Sequence, residues 1–204
     1  MENRLRWGAK VISADGKNLG RLTRVVFHPS TNEVTHIVVE KGVFNRRAKL
    51  VPIGSVQFAA SDEIRLKIEA SQINELQDFE ETYFLPGETL EGEVKPLYWL
   101  RPVGDYPEIY PLPPLAVSYN LSEGSQAIES GVQILSIEEH EIGRLRSVLL
   151  DELGHITHFI AEIKVGGKTY LKLIPIDWVS QIEESFLKVS ASETMLEKLP
   201  DKYD

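Results

Sequence analysis

The side chains best suited to chemistry in this 204-residue chain are five histidines, a few recurring serines and several adjacent carboxylates. His155 and His158 lie three apart on a segment that reads as a strand. Alternation there sends them to opposite faces, which is poor for joint metal ligation. His36 and His158 occupy one position in two related segments, each beside a threonine, and read as strand hydrogen-bond donors. His28 and His140 fall in turns and read as solvated. Cysteine is absent, which removes thiolate metal sites, thiol nucleophiles and disulfides. The sequence carries no Gly-x-Ser-x-Gly elbow, phosphate-cradling loop or dinucleotide fingerprint. Ser13 and Ser136 recur at strand ends, where a hydroxyl satisfies backbone groups. Asp62-Glu63, Glu80-Glu81 and Glu183-Glu184 read as solvated faces rather than acid–base pairs. The expectation is a non-catalytic protein with neither metal nor cofactor.

Two segments carry the residue types of an interaction site instead. In Lys41–Lys49, Phe44 stands beside Arg46 and Arg47, a ring with two cations able to pair with carboxylates or phosphates. Residues 83–125 hold seven of the 11 prolines, five of the seven tyrosines and Trp99. Disordered linkers are poor in rings. This segment therefore reads as extended, polyproline-like chain presenting Trp99, Tyr106 and Tyr110. It would either strap over the rest of the protein or offer itself to a groove in a partner.

The elements that position these residues come twice. Gly8–Ser13, Leu19–Leu22, Thr35–Val39 and Val51–Ile53 return as Gly131–Ser136, Ile142–Leu145, Thr157–Ala161 and Ile174–Ile176. Most pairs are 123 apart (131 − 8, 143 − 20, 175 − 52), and His36/His158 are 122 apart after a one-residue deletion. The chain divides into a first repeat (1–82), a Pro/aromatic-rich connector (83–125) and a second repeat (126–204). Each repeat reads as five or six short strands, the pattern of a small barrel. Gly20 and Gly143 interrupt strands and mark a bulge or bend, while Pro52 and Pro175 belong at strand ends. Ser71 and Ser192 read as caps of a short closing helix in each repeat. On 34–40, Ile37 and Val39 share one face and Val34 and Val38 the other, so both faces need cover. That cover is the other repeat, the connector or a second copy of the chain in a homodimer.

The net charge of −9 argues against nucleic acid as a partner. It is unevenly spread. Residues 1–70 carry 12 Lys/Arg against 7 Asp/Glu, residues 71–125 carry 2 against 10, and residues 126–204 carry 8 against 14. A basic first repeat beside acidic remainders reads either as mutual attraction of the halves or as solvated faces. No apolar run is long enough to span a membrane, and the first residues do not resemble a signal peptide, so the expectation is a cytoplasmic protein.

Asp15-Gly-Lys-Asn-Leu-Gly20, Val34–Val39 and Leu50–Ile53, with their second-repeat counterparts, resemble the PRC-barrel family. That barrel is shared by the photosynthetic reaction-centre H subunit and the ribosome-maturation factor RimM. The resemblance implies a mainly β fold: two small PRC-type barrels, each with a short C-terminal helix, joined by the connector. It also implies a protein-binding scaffold that docks on a larger assembly. Alternatives are a peripheral subunit of a photosynthetic or other membrane complex that assists proton uptake, and a ribosome-assembly factor. The chain lacks the H subunit's membrane helix, and it carries two such units where the ribosome factor carries one.

Overall fold

The computed structural model describes residues 3–42, 47–60, 62–84, 98–103, 106–111, 115–165, 168–183 and 185–201. Of these, residues 47, 81–84, 98–103, 106–111, 115, 116 and 165 are described by backbone alone. Residues to Phe79 and from Leu121 form one compact unit, and Glu80–Asn120 forms another.

The first repeat supplies β1 (Asn3–Arg6), β2 (Lys10–Ile12), β3 (Asn18–His28), β4 (Glu33–Lys41), β5 (Arg47–Pro52), β6 (Val56–Ala59) and β7 (Glu63–Leu66). Glu80–Asn120 supplies β8 (Glu80–Phe84), β9 (Tyr98–Val103), β10 (Tyr106–Pro111) and β11 (Leu115–Tyr119). The second repeat supplies β12 (Gln126–Glu129), β13 (Gln133–Leu135), β14 (Glu141–Leu150), β15 (Ile156–Val165), β16 (Lys168–Pro175), β17 (Val179–Ile182), β18 (Phe186–Val189) and helix α1 (Glu193–Glu197). Two seven-stranded sheets run β5-β4-β3-β2-β7-β6 and β16-β15-β14-β13-β18-β17, each with one further strand on the long bent strand β3 or β14. A parallel pair, β2 with β7 and β13 with β18, joins otherwise antiparallel neighbours in each barrel.

The further strands are exchanged. β1 opens the first repeat yet pairs with β14 of the second barrel, Asn3 opposite Leu150 through Arg6 opposite Ser147. β12 opens the second repeat and pairs with β3 of the first, Gln126 opposite Phe27 through Glu129 opposite Arg24. The two registers coincide under the repeat offset (126 − 3 and 150 − 27). Gly8 and Gly131 follow the exchanged strands, both at φ 81°. That left-handed backbone is open to glycine and strained for other residues. It lets the chain leave one barrel and enter the other. The barrels meet again at the β4 and β15 starts, where Val34 N–H donates to the Gly154 carbonyl (3.0 Å) and Ile156 N–H to the Asn32 carbonyl (2.8 Å).

One core therefore runs through both barrels, with Leu5, Val25, Phe27 and Ile37 in the same cluster as Ile128, Val148, Phe159 and Ile174. A bulge between Val26 and Phe27 leaves Thr35 unpaired and puts Val34 with Ile37 and Val39 in that core, correcting the expected alternation. Val38 alone faces outward from the group, packed with Val26, Leu50 and Phe79 beside Leu121 and Ala127. The outer face of the first barrel at Val38 is thus covered by Phe79, by Leu121 near the end of the connector and by a second-repeat alanine, Ala127. Across the same seam Arg24 pairs with Glu129 at 3.1 Å.

The closing segments differ from expectation. The first is a 3-10 helix, Gln72–Glu75, the second the α-helix Glu193–Glu197, and neither Ser71 nor Ser192 caps with its hydroxyl. Their exposed carbonyls are instead collected by a repeated lysine. Lys49 Nζ donates to Asn74 and Leu76 carbonyls (3.3 and 2.8 Å), and Lys172 Nζ to those of Glu197 and Leu199 (2.8 Å each). Asp78 and Asp201 complete the two hubs at 3.0 and 2.7 Å.

Within Glu80–Asn120, β8 pairs with β11 and β9 with β10, both antiparallel, in place of the expected polyproline-like chain. Pro102 stands opposite Pro107, and Pro111 opposite Tyr98 four residues further along the ladder. Pairs an even number of residues apart are of one type. In the type whose amides point outward, proline breaks no ladder bond.

Candidate functional site

The recurring polar side chains are committed to the frame. Ser13 is 3 % exposed; its hydroxyl donates to Asp15 at 2.6 Å and accepts the Lys17 amide at 3.0 Å. Ser136 Oγ, fully buried, accepts the amides of Glu138 and His140 at 3.2 and 3.4 Å. Asp15 also accepts the Ala70 amide at 3.0 Å, tying the first turn to the closing segment. The Lys17 ammonium, the Ser13 hydroxyl and that amide hold its carboxyl well below the usual carboxylate range. Asp151 is held low by the amides of His155 (2.8 Å) and Leu153 (2.9 Å).

The histidines do not gather. His36 is half-buried, and burial lowers its pKa below that of a solvated imidazole. Neither it nor His158 hydrogen-bonds through its ring among the described residues, which corrects the expected donor role. The neighbouring threonines take it: Thr35 Oγ1 donates to the Val26 carbonyl at 3.4 Å and Thr157 Oγ1 to that of Leu149 at 3.2 Å. A short hydroxyl on the bulged strand reaches the carbonyl across the ladder, and the bulkier imidazole does not. Among the described residues no three His, Asp or Glu side chains group as a metal site. His28 ends β3 beside Ser125, and His140 is exposed. Gly20 and Gly143 sit where β3 and β14 bend past their neighbours. A Cβ at either would press into the backbone carbonyl of Glu40 or Glu162. Pro52 and Pro175 end β5 and β16 and lead into short 3-10 turns.

Of the expected interaction residues, Phe44 and Arg46 lie outside the described residues. Arg47 opens β5 opposite Lys41, Trp99 stands opposite Tyr110, and Tyr106 opposite Val103 in their ladders; the side chains of all four lie outside the description.

A different feature emerges on the second barrel. Arg4 and Arg6 of β1, Arg146 of β14, Glu162 of β15 and Thr169–Leu171 of β16 line a recess of about 390 Å³ together with Trp7 and Ser130. The strand exchange brings β1 there. A bulge in β14 against β15 supplies Arg146, the unpaired residue between Leu145 and Ser147, so its side chain is re-aimed and pairs with Glu162. Arg4 is 7 % exposed and donates from Nε to Ser147 Oγ at 3.1 Å. Arg6 is exposed and forms no ion pair or hydrogen bond through its side chain among the described residues. Trp7 is 7 % exposed, and its indole N–H is buried without a partner. Sequence reasoning missed this site. Its signal was present as a broken repeat, because Arg4, Arg6 and Arg146 correspond under the offset to Ala127, Glu129 and Thr23.

Two sheets with one strand order, each with a parallel pair and an exchanged strand, define the protein as an interlocked pair of small β-barrels. Residues 7–74 match the PRC-barrel domain, and the first barrel is therefore a PRC-barrel domain. The match begins just after β1 and ends inside the first closing segment. It is a match to the domain alone and ties the chain to neither the reaction-centre subunit nor the ribosome factor. A comparison with curated proteins gives no match. No helix among the described residues is long and apolar enough to cross a membrane.

Proposed function

We propose that the protein is a non-catalytic scaffold that docks a protein partner and so joins a larger assembly. The observation that carries this reading is a symmetric frame with an asymmetric surface. The polar positions that recur in both repeats, Ser13/Ser136, Thr35/Thr157 and Lys49/Lys172, are consumed by hydrogen bonds that hold the fold. Of those that break the repeat, Arg4 bonds Ser147 and Arg146 pairs with Glu162, and together with the exposed Arg6 they converge on a solvent-open recess. A PRC-barrel domain is a binding module, which fits a role in recognition rather than turnover.

The test uses the full chain with a photo-crosslinking residue in place of Thr169, on the recess wall. One protein should be captured in native cells, and the same protein, purified, should co-elute with the wild-type chain. If the captured protein fails to form a complex when both are pure, the scaffold reading is overturned.

A further inference from the structure

We propose that the recess between β1 and β16 binds a carboxylate-rich segment of a partner protein, with Arg6 as its leading cation and Trp7 in its wall. The inference rests on the scaffold reading and names the chemistry of its docking site.

Three observations converge. The first is charge. Among the described residues that line the recess, Arg4 donates to Ser147 Oγ and Arg146 pairs with Glu162, which leaves Arg6 as an exposed cation with no side-chain ion pair or hydrogen bond, in a chain whose net charge is −9. The frame does not need that cation. At the corresponding positions the first barrel has Ala127, Glu129 and Thr23, and there Glu129 pairs with Arg24 at 3.1 Å. The second is an unmet donor. Trp7 lines the recess and keeps its indole N–H buried and unpartnered. A buried polar group without a partner costs roughly 1–3 kcal/mol and calls for an acceptor. Its repeat mate, Ser130, lines the same recess, so the two crossover points of the exchange lie together in its wall. The third is shape and donor type. A volume of about 390 Å³ falls within the range of ligand clefts, roughly 300–1,000 Å³, and holds more than one small anion. Arginine forks match planar carboxylates bidentately. The hydroxyls of Ser130, Thr169 and Tyr170 add neutral donors suited to peptide carbonyls. An acidic peptide is repelled by the chain as a whole, so its binding reports the recess rather than a general field.

Titrating the ¹⁵N-labelled full chain with a hexaglutamate peptide tests this directly. Saturable shifts are expected at the Trp7 indole N–H and at the Thr169–Leu171 amides, weakening as salt rises. Arg6→Glu, which installs the residue type of the mate position, should weaken binding at least about tenfold. Thr169→Glu, at a second exposed position, should do likewise without touching β1. A Trp7 signal that stays still, or binding that survives both substitutions, overturns the proposal. So does inorganic phosphate reproducing the shifts with equal affinity, which would make this a small-anion site. If the crosslinked partner still binds Arg6→Glu and Thr169→Glu at full strength, this site is refuted while the scaffold reading stands.

Discussion

Replacing Leu5 with alanine should loosen the second barrel, although Leu5 belongs to the first repeat. Leu5 is 1 % exposed and stands opposite Val148 of β14. Leucine-to-alanine truncation at a fully buried site costs about 2–5 kcal/mol, depending on how far the surroundings collapse. β1 is a short strand at the rim of a sheet and can shift inward, so a value of about 3 kcal/mol is expected. At about 1.4 kcal/mol per decade, that is roughly a hundredfold loss of amide protection. Native-state hydrogen exchange on the full chain reads it out. The loss should be greatest in β1 and at Ser147–Leu150, with Arg24–Phe27 of β3 less affected. Ile128→Ala is the mirror experiment: Ile128 is also 1 % exposed and stands opposite Val25, so its loss should centre on β3. If Leu5→Ala acts chiefly on β3, or if both variants give one and the same pattern, the assignment of each strand to the opposite barrel is wrong.

Lys172→Met should lower stability by about 2–3 kcal/mol in chemical denaturation, since it strands two carbonyls and the Asp201 carboxylate around a side chain only 7 % exposed. Lys49→Met should cost less, because its side chain is more open at 16 %. His36 yields a pH signature. Burial sets its folded pKa below the 6.5 of the free imidazole, so the unfolded chain takes up that proton first as pH falls. Stability is complete above about pH 6.5 and declines below it, and His36→Gln should flatten that decline in urea midpoints measured across the window. The Asp15 contribution falls in a separate window. Its depressed carboxyl stabilises above the ordinary carboxylate pKa and loses that effect only in stronger acid.

The repeat, the strands and the bends were legible because each leaves a local mark. Gly20 and Gly143 are glycine for want of room beside a neighbouring carbonyl, and Pro52 and Pro175 end strands because proline has no backbone N–H to donate. The lysine hubs were legible in principle, as Lys49 and Lys172 share an offset and a sequence context, but their partners are carbonyls, which no residue type announces. The bulges that skip Thr35 and Arg146 were not legible. Thr35 reads as an ordinary member of an alternating strand, and only the register with β3 shows that it is skipped.

The strand exchange shows why such features escape a sequence. Alternation encodes which face of a strand is buried, not which edge it joins. β3 and β14 carry the same pattern, so Leu5 would bury equally well beside either. What directs β1 outward is the turn after it, where Gly8 and Gly131 adopt the same left-handed angle. A chain extended straight through Trp7–Ala9 would carry β1 along its own β3. The turn sends it along β14 instead, and β12 fills the vacated edge. The same step places Arg4 and Arg6 against Arg146, residues distant in sequence and drawn from different repeats. The recess is therefore a product of the exchange. Its arginines could be read singly in the sequence, but their convergence exists only once the two barrels have traded strands.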